Sequence, residues 1–409
     1  MIRVILSFLP MAVCTFWTVA IALNLREKGN RAAHRELMAW GVIATLLYSG
    51  HFVFFNRMES VIPFSDTIYV ICNLLVYPLY LYYITVLTKG VVGSRQRWLT
   101  VLPPIIAGII VAFVYLMMND EDCSQYISIY LYKNSMQGLS GLAMVQAMIH
   151  QVAKCLFAVG VLTVIFVGIR HIRQYNKLID SIYADNEGKR LYGITTILLL
   201  MLLTGVLSFA VNVVGRFYFL HSEMPFAAIA CFFSSLLFLL FYRGFVQQFS
   251  FTDIAQEETE ECKESKGNED TSDVVPLEGY SRLLQRIDDE RLYLQPGLTL
   301  AALAKQLGTN RTTLSKLVNE EAGMSFTDFI NRKRIAFVRK LEQENPQVRK
   351  QDLAEQAGYT SLRSFYRNYN LFKDWNYPPR IALSLIILKK IPIPAIANPT
   401  TPPKNGHQG

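Results

Sequence analysis

The chain has 409 residues, 52% of them hydrophobic and 18% charged, with a formal net charge of +8. So little charge over this length excludes an ordinary pair of soluble domains, and the cationic excess suits anionic lipid and nucleic acid alike. Six scattered cysteines with no CxxC pair, and six histidines with no HExxH spacing, argue against a disulfide framework and a metal site.

Apolar residues concentrate before residue 245. A helix crosses a bilayer with about 20 apolar residues, and seven runs qualify: 4–23, 37–55, 67–87, 98–118, 152–169, 191–213 and 225–242, the fifth and seventh being the shortest. The first has only Arg3 ahead of it and no small-x-small cleavage site before Arg26, so it reads as a retained helix and not a signal peptide. Cations then alternate by connection. One set holds Arg26, Lys28, Arg31 and Arg35, then Lys89, Arg95 and Arg97, then Arg170, Arg173, Lys177, Lys189 and Arg190; the other holds Arg3, Arg57, Lys133 and Arg216. The richer set is expected in the cytoplasm, which places the N-terminus outside and, after seven spans, the C-terminal region inside. Residues 1–247 are therefore read as a seven-span transmembrane sensor or anchor domain.

Polar residues within spans are candidates for function: His51, Asn73, Asn212 and Lys154. The two asparagines equally suit hydrogen bonds between helices, and Lys154 suits snorkelling to the interface. They form no catalytic set, so no enzyme chemistry, cofactor or metal is expected. The one long outer connection, 119–151, carries Asp120, Glu121 and Asp122 but is too short for a separate binding domain. A signal ligand would bind there, at the outer mouth, or within the bundle.

Residues 248–276, including "FTDIAQEETEECKESKGNEDTSDVVP", are acidic and poor in large apolar residues, the composition of a flexible linker. A helical pattern resumes at Leu277, Tyr280, Leu284, Ile287 and Leu294.

In "LTLAALAKQLGTNRTTLSKLVNEEAG", Leu300, Leu303, Ala304 and Leu307 mark one helix face. Gly308 supplies a turn and Asn310 a cap. The next helix buries Leu314, Leu317 and Val318 and shows Arg311, Thr312, Ser315, Lys316 and Asn319, cations and hydrogen-bonding groups without an acid, suited to phosphates and base edges. "KQDLAEQAGYTSLRSFYRNYNLFK" repeats the plan: Leu353, Ala354 and Ala357 inward, Gly358 at the turn, Phe365 and Tyr369 as anchors, and Ser361, Arg363, Ser364 and Arg367 outward. One longer helix, 326–344, joins them, with Phe326, Ile330, Ile335, Val338 and Leu341 inward. Adjacent major-groove faces lie about 34 Å apart, so two such helices on one connector suit two successive turns of DNA.

"LAKQLGTNRTTLSKLVNEEAGMSFTDFINRKRI" and "LAEQAGYTSLRSFYRNYN" resemble the DNA-binding domain of the AraC/XylS family of bacterial transcription regulators, over under a quarter of the chain. The apolar runs and this resemblance together give an all-α chain: a seven-helix transmembrane bundle, then a double helix-turn-helix domain at 277–380. The resemblance implies Thr312, Ser315 and Lys316 at bases and Leu362, Arg363 and Arg367 on DNA; each cation equally suits a phosphate-positioning or solvated role. Implied partners are double-stranded promoter DNA, the lipid bilayer, RNA polymerase, a second copy of the chain and a signal ligand, with the protein in the bacterial inner membrane. The competing reading is a membrane transporter or enzyme with a regulatory C-terminal domain. The family closes on Thr-Gly-(Ile/Met)-Thr-Pro; here 381–409 form an apolar and proline-rich tail instead. Codons allowed for Lys373 to Arg380, read one base later, can spell Lys-Thr-Gly-Ile-Thr-Pro-Arg-Glu, so the tail reads either as a frameshift at this point or as a true divergence from the family.

Overall fold

The computed structural model describes residues 2–25, 31–191, 198–199, 202–203, 205–206, 223–247, 249–255, 277–321 and 323–374. The described residues are helical and contain no strand; one isolated bridge pairs Tyr183 with Thr299. Two compact units divide the chain: Met1–Ile179 with Glu187–Glu269, and Asp180–Asn186 with Asp270–Gly409.

The first unit contains α1 (Ile2–Asn24), α2 (Arg31–Phe55), α3 (Ile62–Lys89), α4 (Ser94–Met117), α5 (Asp120–Gln125), most of α6 (Gly141–Ile182) and α7 (Glu223–Val246). Among the described residues, six helices are long and apolar enough to cross a membrane. The sequence suggested seven; the run at 191–213 lies outside the described residues apart from a few positions. Large apolar side chains remain exposed on these helices: Ile109, Phe113 and Leu116 of α4 are 61%, 60% and 85% exposed. Water penalises a continuous apolar face of this kind, whereas lipid does not. Close helix contacts use small residues, as membrane bundles do: a Cβ on Gly108 of α4 would stand 2.2 Å from Ile71 of α3.

Two expectations change here. The short fifth run is the middle of a 42-residue helix, α6, about 63 Å long at 1.5 Å per residue. That is twice the hydrocarbon thickness of about 30 Å. The outer connection, read as a loop, is largely structured. After α5 a π-helical stretch, Tyr126–Tyr132, buries Tyr126, Ile127, Tyr130, Leu131 and Tyr132 with Phe54, Ile62, Ala143 and Ala147.

The second unit contains α8 (Leu277–Asp289), α9 (Leu300–Leu307), α10 (Arg311–Lys316, continuing as a π-helical turn over Leu317–Glu321), α11 (Phe326–Glu344), α12 (Lys350–Gln356) and α13 (Leu362–Phe372). The pattern at 277–294 is interrupted where Arg291 takes φ 51, and Leu292–Leu294 follow as a short 3₁₀ turn. One core joins Ile287, Leu298, Leu300, Leu303, Leu307, Leu314, Leu317, Phe326 and Ile330; a second joins Ile335, Val338, Leu353, Ala357, Tyr359 and Phe365. The stiff helix α11 contributes to both.

Asp180–Asn186, the end of α6 and the residues after it, is built into this unit. Ala184 is fully buried in the first core; its N–H donates to Leu298 O at 3.0 Å. The Asn331 amide donates to Ala184 O at 2.7 Å and the Thr327 hydroxyl to Tyr183 O at 2.5 Å.

Candidate nucleic-acid interface

Helix α9 begins at Thr299, whose hydroxyl accepts from Ala302 N–H, and stops at Gly308, φ 66. This left-handed conformation favours glycine and turns the chain within two residues. Asn310 then caps α10 by accepting from Thr313 N–H at 2.7 Å. With Thr313 and Leu314 buried, Thr312, Lys316 and Asn319 are exposed, while Arg311 and Ser315 are half-buried beside them. Asn319 donates to the Ser315 hydroxyl at 3.0 Å, which orders the far end of this face. The surface offers two cations and several hydrogen-bonding groups.

The second helix pair follows the same plan. Gly358 turns the chain at φ 75 with no room for a side chain, since a Cβ would lie 1.9 Å from Leu294 O. Ser361 caps α13 by accepting from Ser364 N–H at 3.1 Å, so part of its hydroxyl's capacity is used within the helix. Phe365 and Asn368 are buried, and Leu362, Arg363 and Tyr366 are exposed. Tyr366, on the same face as Leu362, was missed because an aromatic at helical spacing reads first as core. Ser364 and Arg367 point elsewhere: Ser364 donates to Asp185 Oδ1 at 2.8 Å, and Arg367 donates to Asn186 Oδ1 at 2.5 Å. Thr360 donates to Asp185 Oδ2. Arg311, Thr312, Ser315, Lys316 and Asn319 thus share the surface of the first pair, and Leu362 and Arg363 are presented by the second.

The "RKRI" stretch is structural. Arg334 is fully buried; its Nε donates to Tyr293 O at 2.7 Å and its Nη2 to Gln295 O at 2.6 Å. It lies 5.2 Å from the centre of the Tyr359 ring, tying α11 to the second pair. Burial lowers its pKa from the ordinary arginine value, opposed by Tyr359 and Asp185, and the two carbonyls help retain its charge. Lys333 pairs with Asp288 at 2.5 Å and so fastens α8 to α11. At the other end, Lys350 bonds to Glu342 and to the Tyr369 hydroxyl. Burial works against the Lys350 charge, but Glu342 and Tyr369 outweigh it and raise the pKa.

Of the polar residues singled out in the apolar half, His51, Asn73 and Lys154 line one cavity, and Asn212 lies outside the described residues. Two residues that the sequence did not single out join them, Asp66 and His150, 2.9 Å apart. Each sits at the margin of an apolar run, where hydropathy assigns a connection.

A capped helix set at a glycine turn after a preceding helix has the form of a helix-turn-helix unit. Residues 303–373 match the family described as a helix-turn-helix domain, here of the AraC type, and helices apolar enough for a membrane precede it. No curated protein and no solved structure matches the chain.

Proposed function

We propose that this protein is a membrane-bound one-component transcription regulator: the apolar helices hold it in the bilayer and receive a signal, and the second unit binds promoter DNA through α10 and α13. The observation that carries the reading is the AraC-type match at 303–373 on a unit whose two capped helices expose cations and hydrogen-bonding groups. In this reading Thr312, Ser315 and Lys316 face bases from the first helix, with Arg311 at its start on phosphate. Leu362, Arg363 and Tyr366 contact DNA from the second; Ser361 holds the helix start, and Arg367 reaches DNA on release from Asn186. Helix α11, about 28 Å long at 1.5 Å per residue, sets a spacing suited to successive major-groove faces. Two copies in one membrane would raise each other's effective concentration at paired half-sites. RNA polymerase is the partner through which bound protein would change transcription.

The end of α6 belongs to the DNA-binding unit, so this helix is the element through which a change in the apolar bundle would bias binding. The test uses the full chain in lipid nanodiscs with labelled fragments from chromosomal regions mapped as bound in cells. Specific binding that weakens steeply with salt is expected, because several phosphates are neutralised. Absence of binding at low salt, or equal affinity for every fragment, overturns the proposal.

A further inference from the structure

We propose that Asp185 and Asn186 hold α13, the second reading helix, in a low-affinity state: docked, they occupy hydrogen-bond donors that DNA phosphates require, and DNA binds there by displacing them. The proposal rests on the DNA-binding half of the function above and names how that site is regulated.

The contact uses side chains of the type that seat phosphate. Thr360, just ahead of α13, donates to Asp185 Oδ2; Ser364 donates to Asp185 Oδ1 at 2.8 Å and Arg367 Nη2 to Asn186 Oδ1 at 2.5 Å. Ser364 and Arg367 lie three residues apart on one flank of the helix, and hydroxyl and guanidinium groups are usual partners of DNA phosphate oxygens. A carboxylate offers them the same chemistry as a phosphate, negatively charged oxygen. The contact is closely fitted: Ser364 is 1% exposed and Asn186 3%. The Asn186 amide nitrogen also donates to Asp180 Oδ1 at 2.8 Å, which fixes the amide oxygen toward Arg367.

The docked residues leave the base-reading face alone. Leu362, Arg363 and Tyr366 stay exposed, so what is withheld is a set of phosphate seats on one flank. Backbone bonds hold the segment one residue earlier, from Ala184 N–H to Leu298 O at 3.0 Å and from Asn331 to Ala184 O at 2.7 Å. These bonds are weakened but not lost when the two side chains let go, which makes displacement local and reversible. Apparent affinity for DNA is then reduced by the fraction of protein in the displaced form. A signal that shifts the end of α6, which runs to Ile182, opens the contact and switches binding on.

The experiment uses the full chain in lipid nanodiscs at low salt with two duplexes of about 21 base pairs, two helical turns. One comes from a mapped chromosomal region and the other is its scrambled sequence, since phosphate contacts carry no sequence information. Asp185→Ala should tighten binding about tenfold or more, by the same factor on both duplexes. Asp185→Asn, which keeps one acceptor oxygen and disturbs packing least, should tighten it less. In the wild-type chain, added duplex should speed hydrogen exchange over 183–186. Loss of a negative charge near DNA would also tighten binding, but simple repulsion leaves the segment docked in the complex, so the exchange measurement separates the two causes. The proposal is overturned if neither variant binds more tightly than wild type, the result expected of a segment that merely braces the helix. It is equally overturned if duplex leaves exchange over 183–186 unchanged or slower. Equal affinity for both duplexes with a gain in the variants would end the promoter-reading proposal and leave this one standing; preference for the mapped sequence without that gain does the reverse.

Discussion

Replacing Asp185 by alanine removes the carboxylate that accepts from Thr360 and from Ser364 at 2.8 Å. Hydrogen bonds to a charged group contribute about 1.5–3 kcal/mol each. Thr360 is exposed and water replaces much of its share, whereas Ser364 is 1% exposed and would lose a buried partner. The expected cost to docking of the 180–186 segment is about 2–3 kcal/mol, a 30- to 150-fold loss of protection if exchange proceeds through its local opening. Hydrogen exchange of the full chain in nanodiscs, followed at the amides of 183–186 and of α13, measures this directly. Asp185→Asn keeps one acceptor oxygen and should lose about half as much in free energy. Protection unchanged within threefold in Asp185→Ala would refute the view that this segment is an energetic part of the DNA-binding unit.

Gly358→Ala and Gly308→Ala both place a side chain at positive φ, which costs about 1–2 kcal/mol. Only the former also drives a Cβ to 1.9 Å from a backbone oxygen, Gly308 facing open space, so its unfolding midpoint should fall distinctly further; equal losses would contradict the close packing under the second turn. In DNA titrations, Lys316→Ala should cost about 1–3 kcal/mol on specific sequence if it reads a base, whereas a phosphate contact lowers the salt slope by about one; Arg363→Ala is sorted by the same two measurements, and no change in either quantity removes the residue from the interface. A fluorescent protein fused after Asp374 should fluoresce and an alkaline phosphatase at the same point should be inactive, the reverse pattern contradicting the orientation drawn from lysines and arginines. Finally, sequencing the locus across the codons for Lys373 to Arg380 should show Lys-Thr-Gly-Ile-Thr-Pro-Arg-Glu in the next frame, and any other spelling removes the frameshift explanation.

Helix and turn signals in the C-terminal half were legible because their causes are local. Gly308 with Asn310, and Gly358 with Ser361, lie within three residues of the turns and caps they make, and α11 spans the expected 326–344. Other features depend on distant or context-bound chemistry. Ala184 meets Leu298 and Asn331 across more than a hundred residues of sequence, and nothing near Ala184 announces those partners. Arg291 breaks its helix at φ 51 although arginine is no turn former. Asp66 and His150 looked like boundary residues because hydropathy reports average polarity, while their pairing depends on two helices meeting. Tyr366 was hidden because aromatic spacing signals a core more readily than an exposed face. The six helices long and apolar enough for a membrane were plain from composition, but the length of α6 was not, since its ends carry polar residues that hydropathy trims away.

The incorporation of Asp180–Asn186 also changes what a protease could accomplish. Were the C-terminal portion attached only by the acidic stretch, a single cut there would set a diffusible factor free. Here the severed fragment would still grip Tyr183 and Ala184 through Leu298, Thr327 and Asn331, and those residues continue on both sides into the other unit. Liberation by one cleavage is therefore disfavoured; if the apolar helices reside in a bilayer, chromosomal sites must travel to the protein.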